Sequence, residues 1–153
     1  MPPSIISGGQ TGADRAALDW AIANHVPHGG KCPKGRRAED GPIDARYNLT
    51  ELKSVSYLAR TKANVVESDA TVIFTIAAKL AGGSKRTAEF AKQAGKPWLH
   101  LSAETDGDKA GKVLRGFLKR HPAKLLNVAG SRGSKEPSVG DFLRKVLDEA
   151  VLG

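Results

Sequence analysis

The chain reads as an α/β protein: a single Rossmann-like domain over residues 1–153, with a mostly parallel sheet of about five or more strands and helices on both faces. Three observations predict this. Short β-rich runs alternate with amphipathic helical stretches. The junctions from strand to helix are repeatedly rich in glycine. With 40% hydrophobic and 26% charged residues over 153 positions, the chain has the balance of a protein with an ordinary buried core.

The elements follow in order. Ser4–Ser7 is a short strand entering Gly8-Gly9-Gln10-Thr11-Gly12. A helix then runs from about Gly12 to Asn24, with Ala13, Ala16, Ala17, Trp20 and Ala21 at helical spacing and small enough for close packing on a sheet. Thr11 and Asp14, three apart, form a capping-box-like start. Gly30–Cys32 is a second strand. Pro33–Asn48 is rich in Gly, Pro and charge and lacks periodicity, so it reads as a long loop of the functional kind. A helix over Ser54–Glu67 puts Val55, Leu58, Ala59, Lys62 and Val66 on one face, with Lys62 the flaw in that stripe. Ala70–Ile76 is a continuous apolar run, the mark of a buried parallel strand. Gly82-Gly83-Ser84 opens a helix to Ala94, stopped by Gly95 and Pro97. Trp98–Leu101 is the next strand. Asp106 caps a helix on which Ala110, Val113, Leu114, Phe117 and Leu118 share a face. Leu125–Ala129 is the fifth strand. The last helix starts at Ser138, with Asp141 completing a Ser-x-x-Asp pair and Val139, Phe142, Leu143, Val146, Leu147 and Ala150 as its apolar stripe. Crossovers between parallel strands are expected to be right-handed.

Charge narrows the partners. Lys and Arg total 24 against 16 acids, a net of +8. Residues 1–76 carry 9 basic and 8 acidic groups, and residues 77–153 carry 15 and 8. Such an excess attracts anions: nucleotides, phosphorylated cofactors or nucleic acid. Aromatic residues are only 5%, which weakens a single-strand stacking platform. The longest apolar stretch, Ala70 to Ala78, is too short to span a bilayer, so no membrane partner is expected. The first residues show neither a basic start nor a long apolar core, so no export signal is expected. Cys32 is the only cysteine, which precludes an internal disulfide and suits a reducing, cytoplasmic setting. His25, His28 and Cys32 match no standard zinc spacing, and no structural metal is expected.

The chemistry is expected at three junctions: Gly8-Gly9-Gln10-Thr11-Gly12, Gly82-Gly83-Ser84, and Gly130-Ser131-Arg132-Gly133. In a doubly wound sheet such junctions share the carboxyl edge, where ligands bind. Glycine allows close backbone approach, and a helix start offers free N–H groups and partial positive charge, which together suit phosphate. None of the three matches Gly-x-Gly-x-x-Gly or the P-loop pattern. Gln10 can bond the edge of a base, sugar or pterin. Ser7, Thr11, Ser84, Thr87, Ser131 and Ser134 can donate to phosphate, and Arg132 offers a planar fork. Asp14 is either a ligand acceptor or a capping residue. Glu89 is either a general base or a surface carboxylate near Lys85 and Arg86. Lys34, Arg36 and Arg37 can close over an anionic ligand, or form a solvated turn neutralised by Glu39 and Asp40. Tyr47 and Tyr57 read as packing residues.

Three blocks carry a family resemblance: Ile5-Ile6-Ser7-Gly8-Gly9-Gln10-Thr11-Gly12-Ala13-Asp14-Arg15-Ala16-Ala17-Leu18-Asp19, His28-Gly29-Gly30-Lys31-Cys32-Pro33-Lys34-Gly35-Arg36-Arg37-Ala38-Glu39-Asp40-Gly41-Pro42-Ile43, and Leu126-Asn127-Val128-Ala129-Gly130-Ser131-Arg132-Gly133-Ser134. They resemble the putative molybdenum carrier family, a circularly permuted YpsA-like branch of the Rossmann-like SLOG group. The permutation explains why a Gly-Ser-Arg loop, found after the first strand in relatives, sits near the C-terminus here. The resemblance implies a nucleotide-type pocket, a homo-oligomer (dimer or tetramer), and binding of molybdenum cofactor (molybdopterin) or a nucleotide. A second likeness is to the Lonely-guy phosphoribohydrolases, which use Pro-Gly-Gly-x-Gly-Thr-x-x-Glu. Ala81-Gly82-Gly83-Ser84-Lys85-Arg86-Thr87-Ala88-Glu89 keeps both first glycines and the glutamate, has the threonine one place later, and lacks the proline and third glycine.

The resulting expectation is a carrier or binding protein for a phosphorylated nucleotide-like or pterin ligand. The alternative is an enzyme cleaving an N-glycosidic bond, with Glu89 activating water. Nucleic-acid binding stands third.

Overall fold

The computed structural model describes residues 2–153. The most apolar run forms β5 (Ala70–Thr75), all six residues buried. It lies beside the central strand, β7 (Leu125–Gly130), with Val72 level with Val128. On its other side is the edge strand β6 (Trp98–Ser102). Beyond β7 come β1 (Ser4–Ile6) and the two-residue edge strand β2 (His28–Gly29). The order is β2-β1-β7-β5-β6, and every pairing is parallel.

Alternation along the strands decides which helix covers which face. Val72, Phe74, Leu126 and Val128 pack in one cluster with α1 (Ala13–Ala23), α4 (Ala110–Arg120) and α5 (Val139–Leu147). The other face is covered by α2 (Tyr57–Glu67) and α3 (Gly82–Ala94). Crossovers through α1 and α4 run one way on the first face. Those through α2 and α3 run the opposite way on the second, so all share one hand. After α5 the chain ends in a π-type turn, Asp148–Leu152, to which the Trp20 indole is tied by a 2.8 Å hydrogen bond to Asp148.

Several local expectations need correction. The strand expected over Gly30–Cys32 is broken at Gly30, whose φ of +132° turns the chain where a Cβ would sit 2.0 Å from the Ser7 carbonyl. His28–Gly29 stays with the main sheet. Lys31–Cys32 (β3) instead pairs with Thr50–Glu51 (β4) in a separate two-stranded parallel sheet. The capping pairs do not form. Gly12 is the N-cap of α1 without a side-chain bond, and Asp14 accepts from the Gln10 N–H instead. Ser138 makes no cap bond and Asp141 pairs with Arg144. Asp106 accepts from the Ser102 N–H, and a short 3-10 turn, Gly107–Lys109, intervenes before α4.

The largest correction concerns α2. The helix starts at Tyr57 rather than Ser54, which leaves Val55 before it, and the expected apolar stripe points outward: Val55, Leu58 and Val66 are 57%, 45% and 48% exposed. The inward face carries Asn64 and Val65, and the Asn64 amide exchanges two hydrogen bonds with the Lys31 backbone (2.8 and 3.0 Å). The long segment 33–48 has no helix or strand but owns a small core, in which Ala38, Ile43 and Tyr47 pack with Leu18, Cys32 and Leu49.

Candidate functional site

Helix α1 leaves β1 on one face of the sheet and α3 leaves β5 on the other. The carboxyl end of β7 lies between them, and a crevice opens where successive crossovers diverge. The cleft there has a volume of about 640 Å³. Its walls come from all three glycine-rich junctions and from α2. Gln10, Gly82, Gly83, Ser84, Thr87, Gly130, Ser131 and Arg132 all line it.

The glycines serve different purposes. A Cβ on Gly8 would lie 2.1 Å from the Arg60 guanidinium, so Gly8 makes room for that side chain. Gly12, at φ +80°, lets the backbone pass where a Cβ would be 2.2 Å from the Ser131 carbonyl. The first and third junctions thus spend their glycines on packing against neighbours. At Gly83, by contrast, a Cβ would meet nothing within 4 Å, so the start of α3 faces open space. That helix has 13 residues and no side-chain cap, so its first N–H groups and partial positive charge are left for a ligand.

Arg60 and Asp14 form the inner wall. The Arg60 Nη1 donates to Asp14 Oδ2 at 2.7 Å, with the two side chains only 11% and 5% exposed. Burial pushes the Asp14 carboxyl above its ordinary value, against the pull of Arg60 and of the Gln10 N–H. Gln10 is held by its carbonyl oxygen, which accepts from the Thr11 N–H (3.1 Å) and the Glu39 N–H (2.9 Å). The opposite wall carries Glu136, which accepts from the N–H groups of Ile76 and Ala77, both at 2.9 Å, and from the Ser131 hydroxyl. Burial opposes its ionisation, but these donors outweigh burial and hold the carboxyl below its ordinary value. Glu136 is therefore committed to the protein through both oxygens, whereas Asp14 is engaged through Oδ2. The cations are less committed: Lys79, Arg86 and Lys135 line the cleft with no carboxylate partner among the described residues. Arg132 stacks 4.9 Å from the Tyr57 ring centre and lies 4.0 Å from Glu39.

Of the six hydroxyls expected to serve a phosphate, five donate to protein acceptors. Ser7 bonds the Asp14 carbonyl (2.8 Å), Thr11 and Ser134 bond Glu39, Thr87 bonds the Gly83 carbonyl (2.9 Å), and Ser131 bonds Glu136. Ser84 alone has no protein partner among the described residues, and it lines the cleft.

The cationic segment behaves differently from its expected part. Arg36 donates to the carbonyls of Ile43 (2.8 Å), Asp44 (2.7 Å) and Tyr47 (2.8 Å), bracing its own loop. Arg37 bonds the Val55 carbonyl and covers Tyr57. Lys34 is exposed, and none of the three lines the cleft. The acids that follow do the bridging: Asp40 pairs with Arg15 at 2.9 Å, and Glu39 reaches Thr11 and Ser134 on two different junctions. Gly9, Thr11, Gly12 and Ser134 buttress the cleft from behind rather than line it. Glu89 is exposed on α3 outside the lining, so it is not placed to activate water there.

Sequence pattern alone does not mark Arg60, Glu136, Lys79, Lys135 and Tyr57 for this site, yet all five line it. Arg60 and Asn64, four apart on one helix face, were the available signal for the first. The others emerge only when the loops are brought together.

A model of the circularly permutated YpsA SLOG family matches residues 5–151. The crystal structure of a putative molybdenum carrier protein from Syntrophus aciditrophicus SB is 41% identical to this chain, covers 98% of it and 96% of its own length, and superposes with a TM-score of 0.94. (E)-4-Hydroxy-3-methyl-but-2-enyl diphosphate reductase matches at 9% identity and a TM-score of 0.40, over 96% of this chain and 59% of that one. No curated protein matches the chain.

Proposed function

Because the chain belongs to the circularly permutated YpsA SLOG family, we propose that it is a carrier that holds a phosphorylated nucleotide-like or pterin ligand, molybdenum cofactor among them, in the cleft above β7. The observation that carries this reading is the convergence of Gln10, Ser84 and Arg132 on one cavity with an uncapped helix start. The likeness to the molybdenum carrier of Syntrophus aciditrophicus supports the nature of the cargo.

The donor set fits such a cargo through its oxyanions. The cleft offers N–H groups, the Ser84 hydroxyl and cations, and among the described residues neither cysteine nor histidine lines it. It therefore suits a phosphate or metal-bound oxygen rather than a bare metal ion. Ser84 and the N–H groups opening α3 would hold the phosphate, with Arg132 as a fork across from them. Lys79 and Lys135 add attraction at the rim.

Thermal denaturation with nucleoside monophosphates and with molybdenum cofactor tests this. A ligand at 100 times its Kd stabilises by about 2.7 kcal/mol. Arg132→Ala is expected to weaken binding about tenfold, with the melting midpoint of the free protein unchanged. Absence of stabilisation by every phosphorylated ligand, or unaltered affinity in Arg132→Ala, would overturn the proposal. Release of free base during incubation would replace it with the glycosidic enzyme.

A further inference from the structure

Two buried donors at the inner end of the cleft have no partner among the described residues: Nε2 of Gln10 and Nε of Arg60. Gln10 is 4% exposed, and its amide orientation follows from its bonds, since the oxygen is already taken by the Thr11 and Glu39 N–H groups. Arg60 has spent Nη1 on Asp14. Leaving a buried donor unsatisfied costs about 1–3 kcal/mol, so two together in a cleft wall point to an acceptor that arrives with a ligand. Beside them, Asp14 has Oδ2 engaged by Arg60 and by the Gln10 N–H, while no protein donor among the described residues reaches Oδ1.

The array defines what can occupy it. An oxygen with two lone pairs can satisfy both donors. An anionic oxygen is disfavoured there, because Arg60 is already neutralised and the Asp14 carboxylate lies alongside. A neutral carbonyl suits both donors, and an adjacent ring N–H would satisfy Asp14 Oδ1. The geometry points to a subsite for a lactam edge, a ring carbonyl next to a ring N–H, as in oxo-purines and pterins, read by Gln10, Arg60 and Asp14. This rests on the proposed cleft and names the ring class that the phosphate accompanies. Adenine carries an exocyclic amino donor where the oxo-purine has its carbonyl; shifted so that its ring nitrogen meets the donors, it offers one lone pair and leaves one donor orphaned.

Inosine and adenosine monophosphates differ at this edge and carry the same phosphate. Titration calorimetry of the wild-type protein is expected to show inosine monophosphate binding at least about tenfold more tightly than adenosine monophosphate. Gln10→Glu keeps the oxygen that holds Thr11 and Glu39 and replaces the donor with an acceptor. It should abolish that preference, so that the two nucleotides bind within about twofold of each other. Equal affinities in the wild type, or a preference that survives Gln10→Glu, would overturn the lactam subsite and leave the phosphate cleft standing. Failure of both nucleotides and of pyrophosphate to bind would overturn the cleft and the subsite together. The wild-type comparison decides the matter even if the variant does not fold.

Discussion

Arg60 shows how one side chain organises the inner end of the cleft. It enters from α2, fills the space that Gly8 leaves, and neutralises a carboxylate 46 positions away in the chain. Removing one partner of a buried pair strands the other, a loss of about 3–5 kcal/mol in comparable cases. Arg60→Met, which keeps most of the packing stem, is expected to lose that amount in urea denaturation. A loss below about 1 kcal/mol would mean that Asp14 finds water or a proton at little cost. The residue could not be assigned this role from sequence. Helical periodicity in 54–67 points to Val55, Leu58, Ala59, Lys62 and Val66 as one face, and of these Val55, Leu58 and Val66 are exposed. Hydrophobic pattern predicts a buried face only where the core is apolar. Here α2 packs its polar residues, Arg60, Thr61 and Asn64, toward a cleft and a loop backbone. Gln10, in contrast, lines the cleft, as its place in a glycine-rich βα junction suggests.

At the scale of elements, segment 33–48 is a strap across the back of the site. Its inside is braced by Arg36 and its small core, and its tip is fastened by Glu39. The hydrogen bond from Thr11 lowers the Glu39 carboxyl below its ordinary value of 4.5, against burial and with help from Ser134. The ionised form is therefore favoured by folding. Its contribution is present above the ordinary value and is lost as pH falls through the lowered one. Melting curves recorded from about pH 6 down to about pH 3 should show the wild type losing stability more steeply than Glu39→Gln. Parallel curves would show that the strap is held without this charge. Composition identified the segment as a long functional loop, but not its fastening. Acids following a run of cations read as local neutralisation, and only the fold brings Thr11 and Ser134 within their reach. The regular elements were easier. The stripes of α1, α4 and α5 bury the residues expected of them, since those helices lie on an apolar sheet face.

Over the whole molecule, strand order was not readable, because pairing depends on where each crossover lands. The alternation of strand and helix still determined that all the glycine-rich junctions would share one edge. Once β7 inserts between β1 and β5, those junctions close around a single cavity. The C-terminal half contributes most of the positive charge, and Lys79, Arg86, Arg132 and Lys135 bring part of it to the cleft. Among the described residues five cations, counting Arg60, thus stand against the two cleft carboxylates Asp14 and Glu136. That excess is the reason for expecting an anionic cargo. The most direct measurement is a crystal structure of the protein grown with inosine monophosphate. Electron density for the phosphate is expected between Arg132 and the Gly82–Ser84 turn, with the ring directed toward Gln10. Density for the nucleotide anywhere outside this cleft, with the cleft holding only solvent, would contradict it.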